Sequence, residues 1–439
     1  MNSRYAREID IQAQAAKSRE GLIRRDGLRR QAQTILHDAT KDHQAQHRTC
    51  WCGRHVVGLD GNMPVIRRLD GGKARLGNVK TCGSVWACPV CASKVAEVRR
   101  RELTYAMLQH TAQGGHAYLL TFTLPHYVGQ PLEQLLPMLD KARNRFQGSR
   151  GWKKLMQVAN PAKGIEAGTA GRVGGVTSAE VTYGGGANGW HPHVHMLIFC
   201  NAGAFQEGEP DEWGRLSSPA IDYFRAEWVR HLEKAGAIDG TNRSFAARYG
   251  LDVRGGAKAA EYIAKWGHEE KHGLSREVTS SHAKLGRRDT WGTSDHYTPF
   301  QLLELSATGD GHATCAFREF VGAFDGKRML TWSPGIKAHF GIKEMSDDEA
   351  AAELELTLED EHQVGKITQE QLTTLVSWGA HGRFLAFIAE HGHRDNAQQL
   401  IDDWIAACGG GKRRSGNILV DRMHSNEWRY WFRPEEVAA

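Results

Sequence analysis

The stretch GWHPHVHMLIFC, residues 189–200, sets histidines at 191, 193 and 195 just ahead of an unbroken apolar run. Side chains alternate across a strand, so His193 and His195 face one way with Val194 opposite, and imidazoles at that spacing can share one metal ion. The run Met196-Leu197-Ile198-Phe199 anchors such a strand in a sheet and stiffens the ligands. His191 falls on the same side, but Pro192 and the preceding turn leave its direction open. Glu180, in GVTSAEVTY (175–183), can add a carboxylate and leave coordination positions for a substrate oxygen and water. Without a metal, the same residues are two histidines and a glutamate on half-solvated strand faces. With 22 histidines in the chain an H-x-H also arises by chance, as HGH at 391–393 shows.

Two further groups have chemical spacing. In AAEYIAKWG, Tyr262 and Lys265 lie three residues apart and share a helix face. A phenol with an ordinary pKa of about 10 needs its charge stabilised to attack phosphorus, and a lysine one turn on can do that. A core tyrosine beside a snorkelling lysine fits the same pattern. Five of the eight cysteines crowd between Cys50 and Cys91, in CWCG and TCGSVWACPVCASK. CPVC is a C-x2-C knuckle whose thiolates can both reach one Zn2+ at about 2.3 Å, with further ligands available upstream. Free buried thiols are the alternative. Cys200, Cys315 and Cys408 are scattered and carry no assignment. His268-Glu269-Glu270-Lys271-His272 fits the H-E-x-x-H of zinc proteases. Gly267 and Gly273 bracket it to under about two helical turns, and no well-spaced third ligand follows.

The elements that must hold these groups are visible in the apolar spacing. SKVAEVRRRELTYAMLQHTA reads as a helix and AYLLTFTL (117–124) as a strand. LEQLLPMLDKARNRFQ reads as a helix despite Pro137. GVTSAEVTY and HVHMLIFC read as a hairpin about the turn GGGANGW. PAIDYFRAEWVRHLEKAG predicts a helix, GLDVR a short strand, and the following Ala-rich run a helix from near Ala257 to about Gly267 that carries Tyr262. Strands and helices mixed with hairpin connections predict an α+β antiparallel sheet rather than a doubly wound one. Arg99, Arg100 and Arg101 could touch phosphates or line a solvated helix face.

Beyond about 290, EMSDDEAAAELELTLEDE is acidic and helix-prone, LTTLVSWGAHGRFLAFIAEHG and NAQQLIDDWIAA carry helical spacing, and the end is basic with aromatics. WRYWF (428–432) could stack on bases or dock onto a core. GKIT at 365 has Asp360 where the first glycine of a phosphate-binding loop belongs, so no ATPase is expected. At 439 residues the chain predicts two or three packed units. Its net charge of +5 permits a phosphate-rich partner without requiring one. A polar, Arg-rich N-terminus without a secretory signal, and no long apolar window, predict a cytoplasmic protein with no membrane partner, whose cysteines are thiols or ligands rather than disulfides.

Taken in order, the Thr-bearing strand LLTFTL, His-Pro-His-Val-His followed by hydrophobics, and Tyr-x-x-Lys on a helix resemble the three motifs of HUH endonucleases. Among these, residues 46 to 290 look most like the rolling-circle plasmid replication initiators. The resemblance implies that His193 and His195, with Glu180 as third ligand, hold Mg2+ or Mn2+ against the scissile phosphate. It implies that Tyr262 attacks in line, leaving a 5′-phosphotyrosyl link and a 3′-OH primer, while Lys265 neutralises phosphate charge. Similar initiators carry a CG and then C-x5-C-P-x-C, which implies structural Zn2+ on Cys52, Cys82, Cys88 and Cys91, with Cys50 as substitute. The implied partners are origin DNA with a single-stranded or hairpin nick site, and a host helicase, polymerase and single-strand binding protein.

The expected organisation is a polar helical arm (1–45), a cysteine-rich zinc module and helix (46–112), an HUH nuclease domain (113–290) and a mostly helical C-terminal region (291–439). Conjugative relaxases and HUH transposases would use the same tyrosine and metal, but the cysteine module ahead of the nuclease motifs favours an initiator. A zinc-dependent DNA-binding regulator would keep the cysteines and leave Tyr262 dispensable. One departure stands out: some such initiators carry a glutamate four residues before the tyrosine, and here that position is Lys258. Glu261 lies about 100° round the helix from Tyr262.

Overall fold

The computed structural model describes residues 3–57, 61–184, 188–205, 211–212, 215–255, 296–353 and 361–409. It is an α+β protein with antiparallel sheets, as the mixed pattern predicts. The strands are β1 (Asn62–Arg68), β2 (Ala74–Leu76), β3 (His116–Thr123), β4 (Arg172–Tyr183), β5 (Trp190–Cys200), β6 (Leu251–Gly255), β7 (Thr331–Trp332) and β8 (Glu361–Thr368). They form a five-stranded sheet in the order β6-β3-β5-β4-β7 and a three-stranded sheet in the order β2-β1-β8. The chain divides into two compact units that do not follow sequence order. One holds 1–95, 302–318 and 346–439, the other 96–301 and 319–345.

The five-stranded sheet is centred on β5, which β3 and β4 flank in antiparallel register. From His191 to Val194 burial alternates, and from His195 to Cys200 every residue is buried. A strand covered on both faces reads as a continuous apolar run, so the residues after the histidines fix its place at the centre of the sheet. On one face, Phe122 of β3 packs against Trp228 with ring centroids 4.8 Å apart and against Phe146 at 5.5 Å. Those partners come from the helices Pro219–Ala235 and Leu132–Gln147, whose apolar faces cover that side. Phe122 lies opposite Val194, so the aromatic core occupies the face away from His193 and His195. All three rings are fully buried, and truncating any one to alanine costs about 3–5 kcal/mol. The hairpin joining β4 to β5 closes where Gly189 takes φ 65°; a β-carbon there would also lie 3.0 Å from the Tyr127 carbonyl oxygen.

The other unit is built on the three-stranded sheet and the helices Gln369–Ser377, His381–His391 and Ala397–Gly409, around Met63, Val65, Ile367, Phe384, Ile401 and Trp404. The N-terminal helix Ser3–Leu36 packs along His381–His391. Gly382 allows that approach, because a β-carbon there would meet Asp26 Cβ at 2.5 Å. In the acidic stretch, the helix covers Asp347–Glu353, and β8 begins at Glu361. The strands β1, β2 and β8 have no counterpart in the apolar pattern. β8 also places GKIT in a strand, and Thr368 caps the next helix through a capping box with Gln371. Among the described residues no helix is long and apolar enough to cross a membrane.

Candidate metal centres

Register brings the histidine strand and Glu180 together. Glu180 on β4 lies directly across from His193 on β5, and His195 is two residues further along the same face. The His193 and His195 Nε2 atoms lie 3.3 and 3.1 Å from one carboxylate oxygen of Glu180. Thr121 on β3 is the cross-strand partner of His195, and its Oγ1 lies 3.0 Å from His195 Nδ1. That bond fixes the ring so that Nε2 points at Glu180. The His193 Nδ1 is buried and has no hydrogen-bond partner among the described residues.

Glu180 is only 6% exposed. Burial works to raise its pKa, but the adjoining imidazoles outweigh burial and hold the carboxyl well below the usual carboxylate range. A buried carboxylate therefore faces two ring nitrogens, an arrangement stabilised by protons on those nitrogens or by a cation among them. The donor set is one carboxylate oxygen and two imidazole nitrogens, all within 4.8 Å of one another. Such a mixed N/O set suits a hard or borderline divalent ion such as Mn2+. His191 stands outside it, with its ring stacked on His126 at 4.8 Å. Burial first, then the neighbouring His193, His126 and His296, hold His191 well below the ordinary histidine value, so it is neutral near pH 7.

The second cluster joins Cys52, Cys82, Cys88 and Cys91, all buried. Cys52 follows a 3-10 turn, Arg48–Trp51, and its carbonyl accepts a hydrogen bond from Gln33 Nε2 at 2.9 Å. Cys88 and Cys91 sit at the start of the helix Pro89–Ala112. The Sγ separations are 3.5 Å for Cys52–Cys91, 3.6 Å for Cys82–Cys91 and 3.7 Å for Cys52–Cys88. A tetrahedral Zn2+ at about 2.3 Å from each sulfur sets the sulfurs about 3.8 Å apart, so these distances fit a four-thiolate site. They are far too long for disulfides, whose sulfurs lie about 2.05 Å apart. Cys50 is buried but lies outside the group, its thiol directed at the Gln33 carbonyl 3.8 Å away.

Hydrogen bonds from Cys82, Cys88 and Cys91, with the nearby Arg29 charge, pull the Cys52 thiol well below its ordinary value. Burial and the neighbouring sulfurs push Cys88 up. Arg29 is itself buried and clamped by Asp26 and by His381, whose Nδ1 lies 3.0 Å from Arg29 Nη2. Gly53, at φ 75°, leaves the space this guanidinium fills.

Tyr262 and Lys265 lie outside the described residues, as do Lys258, Glu261, the His268–His272 segment and WRYWF. Arg99 is buried, donating to Glu102 Oε1 and to the Met345 carbonyl, both at 2.7 Å. Arg100 and Arg101 pair with Glu97. This run therefore reads as a self-paired helix face with one buried member. Cys200 is a buried thiol pushed up to about 12 by burial, which leaves it inert. The residue whose partner the sequence did not reveal is Thr121. It was visible as part of LLTFTL, but its bond to His195 depends on a register between strands far apart in sequence.

The antiparallel sheet thus carries a His/His/Glu set on its central hairpin, and a four-cysteine cluster lies elsewhere in the chain; each group could hold a metal ion. Residues 73–383 match Rep_1, the Replication protein family, so the chain belongs to that family and is a plasmid Rep-like protein. The chain is 26% identical over 360 residues to "Protein rep" of Streptomyces lividans, an alignment covering 72% of this chain and 75% of that protein. It is 32% identical over 164 residues to a "Neomycin resistance protein" of Streptomyces cyanogenus, covering 34% of this chain and 36% of that protein. No solved structure matches.

Proposed function

We propose that this chain initiates rolling-circle replication of a plasmid by nicking and rejoining one strand at the origin, with an HUH-type core on the five-stranded sheet. The observation that carries this is the convergence of Glu180, His193 and His195 on one face of a hairpin, in a chain of the Replication protein family. A Mg2+ or Mn2+ ion held by those three residues would polarise a phosphate oxygen as a Lewis acid.

The protein's own groups have separate tasks. Tyr262 attacks phosphorus with its phenolic oxygen, the P–O3′ bond breaks, and the departing 3′ oxygen takes a proton to become the primer hydroxyl. The 5′ phosphate stays on Tyr262 as a diester, so a later 3′-OH can reverse the exchange without ATP. Lys265, three residues on in the sequence, neutralises charge that builds on the phosphate oxygens. Thr121 holds the His195 ring in orientation. Cys52, Cys82, Cys88 and Cys91 would hold a structural Zn2+. The partners are origin DNA with an unpaired or hairpin nick site, and the host helicase, polymerase and single-strand binding protein that act after nicking in the cytoplasm. A relaxase or transposase would share this chemistry; the family match favours replication.

The test mixes purified protein with Mn2+ and a supercoiled plasmid carrying its own replicon. Wild type is expected to relax the plasmid and to form a detergent-stable protein–DNA adduct, and Tyr262→Phe to do neither. Equal nicking by the variant rejects Tyr262 as nucleophile. Nicking that survives His268→Ala separates this activity from that of a metalloprotease.

A further inference from the structure

We infer that Phe245 and Tyr249, with Arg248, form a stacking platform for unpaired bases of the single strand that enters the Glu180/His193/His195 site. This deepens the nicking reading and rests on it. The two rings lie 4.7 Å apart at 49° on the helix Arg243–Tyr249, and they are 54% and 49% exposed. The Arg248 guanidinium sits 5.0 Å from the Tyr249 ring centroid. Tyr127 and Val128 are also exposed, at 47% and 52%, and Asn242 Nδ2 donates to the Tyr127 hydroxyl at 2.6 Å, tying that loop to the start of the helix. Clustered exposed aromatics of this kind mark a binding surface rather than scattered solvent-facing residues.

Position identifies the occupant. Thr123 is the cross-strand partner of His193, so its side chain stands on the same face as the histidines and Glu180. Its Oγ1 donates to the Tyr249 carbonyl at 2.7 Å, and its N–H donates to the Gly250 carbonyl at 2.9 Å. The C-terminal end of the platform helix is thus tied, through a side chain on the metal-facing side, to the far side of Thr123, two strand spacings, roughly 10 Å, from His193. A DNA strand whose phosphate reaches that site runs past this edge. Ring faces pair with base faces, which a duplex hides and a single strand exposes, while a guanidinium beside them suits the backbone charge.

The test uses the full chain in buffer without added Mg2+ or Mn2+, so that binding is read without cleavage. Fluorescence anisotropy compares a labelled oligothymidylate with a duplex of the same length. The Phe245→Ala/Tyr249→Ala double variant is expected to bind the single strand about 5- to 150-fold more weakly, the worth of one stacked base, with duplex affinity retained. Unchanged single-strand affinity, or an equal loss on both probes, overturns the platform. A second measurement needs no variant: a 5-iodouracil-substituted single strand is photocrosslinked to wild type and the adduct mapped. Crosslinks on the peptide bearing Phe245 and Tyr249 are expected. Crosslinks only elsewhere overturn the proposal, including the case where another segment of this chain covers the rings. A failure of Tyr262-dependent nicking leaves both readouts interpretable, so the two ideas can fall separately.

Discussion

Thr121, Glu180, His193 and His195 show how much one hairpin and one neighbouring strand settle. The Thr121 hydroxyl orients the His195 ring, and groups that orient metal-ligating histidines are worth about 10–100-fold in metal affinity. Thr121→Val is therefore expected to raise the Mn2+ concentration needed for half-occupancy by about that factor, measured by calorimetric titration. An unchanged titration would show that the hydroxyl has no role in ion binding. Glu180→Gln keeps the shape and removes the charge, so Mn2+ binding and nicking are both expected to fall, nicking by about two orders of magnitude or more. That His193 and His195 share a face was legible because strand periodicity places alternate residues on one side. The orientation of His195 was not, since no local pattern reveals which residue of β3 stands beside it.

At the level of elements, the N-terminal helix carries a buried Asp26–Arg29 pair, both members of which reach His381 on the helix His381–His391. Burial alone would raise the pKa of Asp26, yet the Arg29 guanidinium and the His381 ring hold its carboxyl below the usual aspartate range. A depressed folded-state value gives stability that is complete above the free aspartate value of about 3.9 and lost as the pH falls below it. Asp26→Asn is expected to cost about 3–5 kcal/mol near pH 7, because it leaves the buried Arg29 charge without its adjoining carboxylate. Urea melts should show the gap to wild type narrowing at about pH 3, and a gap that widens in acid would contradict the assignment. The helix itself could be read from sequence as a polar arm, but not its docking, which depends on Gly382 in a segment far along the chain. β5 was legible from its apolar run. β8 was not, because Ile367 is the one buried residue among its eight and its partner β1 lies far back in the sequence.

For the whole molecule, the cysteine cluster draws Cys52, Cys82, Cys88 and Cys91 into the unit that also contains the N-terminal helix and the C-terminal helices. The knuckle spacing pointed to Cys88 and Cys91 and the family resemblance to Cys52 and Cys82, four sulfurs that the fold gathers, while their sharing a unit with residues after 346 depends on contacts no local spacing encodes. Elemental analysis is expected to find one zinc per chain in wild type and none in Cys91→Ser. Chelation should lower the melting temperature of wild type, since binding energy of a structural ion is folding energy. Full thermal stability in a zinc-free wild type would remove the ion from the design. The central claim reaches from this scaffold to one covalent bond. Its most direct measurement is to digest the adduct formed on origin DNA with Mn2+ and locate the nucleotide by mass spectrometry. The expected result is a 5′-phosphate on the peptide containing Tyr262; a phosphate on another residue, or nicking with no adduct at all, would contradict it.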